Sequence, residues 1–318
     1  MSDAHSNSTR AHRDNEAPFF IVGFQRSGTT MLRLMLNAHP AIAIPHDSAE
    51  LWHDYRNNAG NYQDLNDRAN CTRMIDDLLA EPRIKAWQTE LPREQLLAEP
   101  LPTSFAGVMN RFHTVFAGRH GKTRWGDKNT GTLDELDKLN ALFPDCKIIH
   151  LIRDGRDCAL SHLSKEYIYG YENILRVAVE WRDQVNLCHK MGGMLPARRF
   201  LELRYEDLVQ DTETQLRRIC DFLGVDYSAR MLTYHQQVDA NVPSEKRGLW
   251  PLLDQPPLTA NMYKWKTRMN PADRAVFERN AGALLRNFGY ETLPTPIRGG
   301  RLRELWYHVH QRIAWRFK

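Results

Sequence analysis

Residues Phe19–Leu36 read FFIVGFQRSGTTMLRLML. Phe19–Val22 is a short run of apolar β-formers, Gly23 punctuates it, and Ser27-Gly28-Thr29-Thr30 opens an amphipathic stretch through Leu36. The pattern predicts a buried strand, a tight glycine loop and the first turns of a helix. A helix starting straight after a buried strand aims free backbone N–H groups and its positive dipole end at one point, which attracts phosphate or a similar anion. The spacing is that of a P-loop, G-x-x-x-x-G-K-[ST], with Gly23, Gly28 and Thr30 in place but Thr29 at the lysine position. A P-loop kinase sets that lysine on the β and γ phosphates. Here the cation is Arg26, inside the loop, which suggests an anion without a triphosphate tail.

The rest of the chain bounds what surrounds this unit. Its 318 residues, 42% hydrophobic and 26% charged, have a globular composition and can bury a substantial core. No apolar run approaches the length of a bilayer span. The N-terminus is polar and lacks an apolar h-region, so residues 1–17 are expected to be a disordered lead-in rather than a secretory signal. Five scattered cysteines without a C-x-x-C pair argue for reduced thiols, a cytoplasmic setting and no zinc site. Net charge is +4, yet residues 298–318 hold six Arg or Lys against one acid, so the basicity belongs to the tail. A nucleic-acid binder more often carries a basic face on its body.

Along the chain, His39-Pro40 ends the first helix, and Ala41–Ile44 is expected as a second strand. A polar cluster, Pro45–Glu50, follows it on the side where ligands sit in open α/β sheets. From Trp52 to about Lys122 the pattern is helical and irregular, a cap expected to supply substrate contacts. Thr123–Thr130, TRWGDKNT, reads as a compact turn carrying Lys128. Lys147–Ile152 is the clearest buried strand, and it runs into Arg153-Asp154-Gly155-Arg156-Asp157 and a helix containing Ser161. This second strand–loop–helix unit with a cationic loop lets the two units grip two anionic ends of one ligand. Phe200–Leu203 is a further strand, Thr212 with Gln215 a capping box, Ser244–Met262 a lid-length loop, and Asn270-Pro271 a helix start. Strands alternating with helices imply an α/β fold with a P-loop-like, mostly parallel, doubly wound sheet flanked by helices.

These motifs resemble the sulfotransferases that use 3′-phosphoadenosine-5′-phosphosulfate (PAPS), most nearly the branch of tyrosylprotein sulfotransferases and their bacterial relatives. The match is carried by Gln25–Thr30 with Leu36-Asn37-Ala38-His39-Pro40, by Ile152–Asp157 with Ser161, by Arg204-Tyr205-Glu206-Asp207-Leu208 and by Lys264-Trp265, from about Pro18 to Tyr290. The resemblance implies that Arg26, Ser27, Gly28, Thr29 and Thr30 hold the 5′-phosphosulfate. Arg153 and Ser161 would hold the 3′-phosphate, Tyr205 the adenine or the loop, and Lys264 the 5′-phosphate. Lys128, in GDKN, would sit on the bridging oxygen and leaving phosphate, with no metal needed. Asp47 falls where that branch usually carries glutamate and is the expected base for the acceptor hydroxyl, with Glu50 and His46 as alternatives. Lys246-Arg247-Gly248 superficially resembles the Arg-Lys-Gly motif of cytosolic members.

The expected organisation is a lead-in over residues 1–17, one sulfotransferase domain over 18–297 and a basic amphipathic helix over 298–318. In that tail Leu302, Leu305, Trp306, Val309, Ile313 and Phe317 recur at helical spacing. It reads either as a helix docked on the domain or as an interfacial helix on anionic membrane, placing the enzyme at the inner membrane face. The expected partner is a hydroxyl-bearing acceptor such as a lipid, glycan or other small molecule. The competing readings are a peptide-tyrosine acceptor, a P-loop nucleotide kinase, and a non-catalytic nucleotide-binding protein. Oligomeric state is not encoded in any motif.

Overall fold

A computed structural model describes residues 17–46, 49–129, 136–164, 173–244, 248, 250–292 and 302–307. Among these, five strands form one sheet: β1 Phe19–Val22, β2 Ile42–Ala43, β3 Arg124–Asn129, β4 Lys147–Ile152 and β5 Phe200–Arg204. The order is β2-β3-β1-β4-β5 and each pairing is parallel. β1 connects outward on one side and β4 on the other, so the order reverses between these two adjacent strands. A crevice opens at such a switch point, beyond the carboxyl ends of the strands.

Both faces of the sheet are covered, so β1 is apolar throughout, and β4 is apolar but for Lys147 and His150, which are buried with it. The odd residues of β1, Phe19 and Ile21, pack with helix α1 (Thr29–Asn37) and with Leu216, Ile219 and Leu223. The even residues, Phe20 and Val22, pack with the larger cluster that includes Trp52, Phe112, Trp125 and Trp181. All four are at most 1% exposed, and each contributes roughly 1.5–3 kcal/mol of burial. The cap comprises α2 (Ala49–Asn57), α3 (Arg68–Ala80) and α4 (Phe105–Arg119), with single turns at Pro82–Lys85 and Arg93–Leu96. Beyond it follow α5 (Leu136–Leu142), α6 (Gly155–Leu163), α7 (Ile174–Gly193), α8 (Tyr205–Gln210), α9 (Thr212–Leu223), α10 (Trp265–Arg268) and α11 (Pro271–Asn287).

Three local expectations change. The TRWGDKNT segment, read as a turn, is β3, with Lys128 paired opposite Ile21 and only 5% exposed. Its glycine, aspartate and lysine have poor strand propensity, but pairing with β1 and β2 on both edges outweighs that. Gly126 is needed there because an added Cβ would meet the Phe19 ring at 2.4 Å. At α9 the capping side chain is Asp211, accepting from the Thr214 N–H, rather than Thr212. Residues 229–240, for which no element was expected, wind as a 3₁₀ segment. By contrast Asn270 caps α11 by accepting from the Ala272 N–H at 2.8 Å, as its sequence predicts, and all five cysteines are buried free thiols.

Candidate active site

The loop after β1 is held in a specific backbone shape. Arg26 has φ 69° and Gly28 φ 95°, both left-handed. For arginine this conformation is strained, and strain of that kind collects at functional loops. Gly28 cannot carry a side chain, because its Cβ would lie 2.5 Å from Tyr205 Cδ2. The Ser27 N–H turns back to Phe24 O at 3.1 Å, so the outward cradle consists of the Gly28, Thr29 and Thr30 amides, where α1 begins without a side-chain cap. Ser27 is fully buried, its hydroxyl 3.6 Å from Cys158 Sγ. Burial pushes that thiol up to about 12, so it is a packing partner and not a nucleophile.

The two units meet directly. Arg26 Nε donates to Ser161 Oγ at 3.0 Å, across 135 residues of chain. Arg153, 5% exposed, donates from Nη1 to Arg26 O at 3.0 Å and from Nη2 to Asn261 O at 2.7 Å. Its guanidinium stacks over the Tyr205 ring, 4.4 Å from the centroid. Its Nε–H is buried and has no partner among the described residues. A buried, unmatched guanidinium donor beside a second arginine and a serine hydroxyl fits an anionic ligand group. Burial raises the Asp157 carboxyl, with Arg153 only partly countering, and Glu206 is likewise raised by burial.

The remaining members of the arginine-rich motif set the frame rather than face the crevice. Asp154 caps α6 through the Arg156 N–H at 3.0 Å, and its own N–H donates to Glu206 Oε1 at 3.0 Å. Arg156, fully buried, forks onto Asp154 and reaches Glu278 Oε1 at 2.6 Å, with its guanidinium 3.5 Å from the Trp265 ring centroid. Asp157 Oδ1 accepts the Trp265 N–H at 2.9 Å. Lys264 thus stands at the head of α10, anchored to α6, and burial followed by the nearby Arg153 charge lowers its ammonium. Sequence reasoning quoted Arg156 and Asp157 inside a motif but gave them no role. Their partners Glu278 and Trp265 lie over a hundred residues away, and no local pattern announces such a contact.

Lys128 lies on β3, the strand on the other side of β1, and its N–H donates to Asp127 Oδ1 at 2.7 Å. Asp47 lies outside the described residues, as do Lys246 and Arg247. Glu50 belongs to the first turn of α2. His46 is buried, its ring 6.4 Å from that of Trp250. The structure therefore brings Arg26, Ser161, Arg153, Tyr205 and the amides of residues 28–30 into one crevice. Lys128 and Lys264 stand on elements bordering it, and His46 follows β2, two strands from β1.

Residues 18–229 match the sequence profile of the sulfotransferase family. Over 297 residues, spanning 91% of this chain and 71% of the other, the sequence is 25% identical to protein-tyrosine sulfotransferase A of Caenorhabditis elegans. The sulfotransferase domain from the curacin biosynthetic pathway superposes with a TM-score of 0.63 at 22% identity, covering 87% of this chain and 99% of that one. The sulfotransferase domain from the Synechococcus PCC 7002 olefin synthase gives 0.60 at 24% identity, covering 87% and 97%. These two likenesses concern the fold.

Proposed function

Since the chain belongs to the sulfotransferase family, we propose that its crevice binds PAPS across both strand–loop–helix units and passes the sulfuryl group to an acceptor hydroxyl. The observation that carries this reading is the 3.0 Å bond between Arg26 and Ser161, which makes the two cationic loops one site. The Gly28–Thr30 amides and Arg26 take the 5′-phosphosulfate, and Arg153 and Ser161 take the 3′-phosphate. The acceptor oxygen attacks sulfur in line while the bond from sulfur to the bridging oxygen breaks. That oxygen leaves on 3′-phosphoadenosine-5′-phosphate (PAP), with Lys128 and Arg26 stabilising its charge. The acceptor proton goes to a base among residues 46–50, Asp47 first, with Glu50 and His46 as alternatives. Because Arg26 is tied to Ser161, donor binding must redirect it. Tyr205 supports the loop from beneath, and Lys264 adds charge on the 5′ side.

Calorimetry with PAP, ADP and ATP tests the donor. PAP should bind tightest, and Arg153→Ala should lose about 10- to 100-fold for PAP, as removal of a charge-assisted bond does, but little for ADP. Tighter ATP binding with no demand for a 3′-phosphate refutes the reading in favour of a phosphotransferase. Binding without sulfuryl transfer to any acceptor would favour a non-catalytic protein.

For the acceptor, the proposal is a lipid, glycan or other small-molecule hydroxyl. Peptide tyrosine is the second reading, favoured by the likeness to the Caenorhabditis protein-tyrosine sulfotransferase. Labelled PAPS supplied with a cell extract, followed by identification of the labelled product, separates them. Residues 18–297 are proposed as one domain and 298–318 as a membrane-contacting tail. Supporting this, the helical residues 302–307 dock through polar groups: Arg303 and Tyr307 on Asp273, Glu304 on Asn280. Leu302, Leu305 and Trp306 face outward at 74%, 61% and 55% exposure. No helix among the described residues is long and apolar enough to cross a membrane. Flotation with phosphatidylglycerol vesicles should be lost on Leu302→Glu with Trp306→Glu, and equal flotation refutes the contact.

A further inference from the structure

The end of β2 is tied to Asn241 by a buried arginine to which the proposed donor site assigns no role. Arg33 lies on α1, one turn past the anion cradle, and is 2% exposed. Its Nη2 donates to Asn241 O at 2.8 Å, and its Nη1 lies 3.4 Å from Ile44 O and 3.5 Å from Pro45 O. Asn37, one turn further along the same helix, repeats the bridge: its Oδ1 accepts the Ile44 N–H at 2.9 Å and its Nδ2 donates to Asn241 Oδ1. Ile44 and Pro45 directly precede His46, Asp47 and Glu50 in the sequence.

Asn241 begins a segment whose far end is pinned to the second unit. Asn261 O accepts from Arg153, and Asn261 Nδ2 donates to the Tyr205 hydroxyl at 3.3 Å. Between the two ends, Trp250 lies against the His46 ring. The segment is thus fastened by Arg33 at Asn241 and by Arg153 at Asn261, with His46 against Trp250. A guanidinium presents a planar fork of donors and can hold carbonyls from two chain segments at fixed separation, which an ammonium on a flexible stem does not.

We infer that Arg33 is a positioning residue for sulfuryl transfer: through Ile44, Pro45 and Asn241 it fixes the end of β2, from which residues 46–50 follow, on α1. The inference rests on the reading that residues 46–50 carry the base. Misplacing a reacting group by about 1 Å costs on the order of 100-fold in rate. The bonds to Ile44, Pro45 and Asn241 involve neither the loop amides nor Arg153, so donor affinity should be spared.

The test compares Arg33→Lys, Arg33→Met and the milder Asn37→Ala with the parent chain. PAP affinity is read by calorimetry, turnover by label transferred from labelled PAPS into a cell extract, and backbone amide exchange by mass spectrometry. The expected result is PAP affinity within about threefold and turnover down by roughly 10- to 100-fold. Exchange should rise at residues 42–46 and 241–244 but not at 19–22 or 147–152. Unchanged turnover, a loss of PAP affinity equal to the loss of turnover, or exchange rising throughout the sheet each overturn the inference. Should Arg33→Met fail to fold, Asn37→Ala carries the same expectations. Failure of the base reading is separately visible: Asp47→Asn, Glu50→Gln and His46→Gln would then all retain full turnover, whatever Arg33 does.

Discussion

Gly28 is the position where the donor cradle is most exposed to a single atom. Replacing it with alanine does two things at once. The backbone at φ 95° is left-handed, which disfavours any L side chain by about 1–2 kcal/mol. The new methyl would also sit 2.5 Å from Tyr205 Cδ2 and 2.7 Å from Cε2. Tyr205 is 3% exposed and lies under the Arg153 guanidinium, so it cannot swing into solvent, and overpacking of this kind costs about 1–3 kcal/mol. The expected loss of stability for Gly28→Ala is therefore about 2–5 kcal/mol, accompanied by at least tenfold weaker PAP binding as the amides tilt. Urea unfolding in a double-mutant cycle with Tyr205→Ala separates the two parts. Truncating the ring removes the collision but leaves the backbone strain, so Gly28→Ala should cost only about 1–2 kcal/mol in the Tyr205→Ala background. An identical cost in both backgrounds, or one below about 0.5 kcal/mol in the parent, would show that the loop does not have this geometry.

Three further outcomes are expected. Lys128→Met should lower kcat by about 100- to 1000-fold, the scale of losing one group that stabilises developing charge, with PAP affinity nearly unchanged in calorimetry; a parallel fall in both would make Lys128 a binding residue only. Arg26→Gly and Arg26→Ala should both lose most turnover, but the glycine variant should be more stable by about 1 kcal/mol, because the residue sits at φ 69°; equal melting curves would contradict the left-handed backbone. His113 is buried, donates from Nδ1 to Met109 O at 2.9 Å and packs on Trp125 with centroids 4.3 Å apart. Burial lowers its pKa from 6.5 to about 4. The unfolded chain therefore takes up that proton first as pH falls, so stability complete above pH 6.5 declines toward pH 4, by up to about 3 kcal/mol. In urea titrations His113→Phe should lack this increment, and an unchanged acid limb would rule the histidine out as its source.

The sequence alone carried the two strand–loop–helix units. FFIV is a continuous apolar run and KIIHLI is apolar but for Lys147 and His150, as a strand buried on both faces largely must be. Gly28, Asn270-Pro271 and Gly224 mark their turns and caps because few residues tolerate those backbone shapes. The anion-binding residues followed, since Arg26 and Arg153 lie in the loops that such strands feed. β3 was hidden, because Gly126, Asp127 and Lys128 look like a turn until β1 and β2 pair with them on both sides. Only the tertiary structure could put Arg26 on Ser161, Arg156 on Trp265, Arg33 on Asn241 and Tyr205 beneath Gly28. Each of these joins residues more than a hundred positions apart. Periodicity and capping report what a residue does within a turn or two of itself. A guanidinium's choice among distant carbonyls, rings and hydroxyls is made by how the sheet order brings loops together.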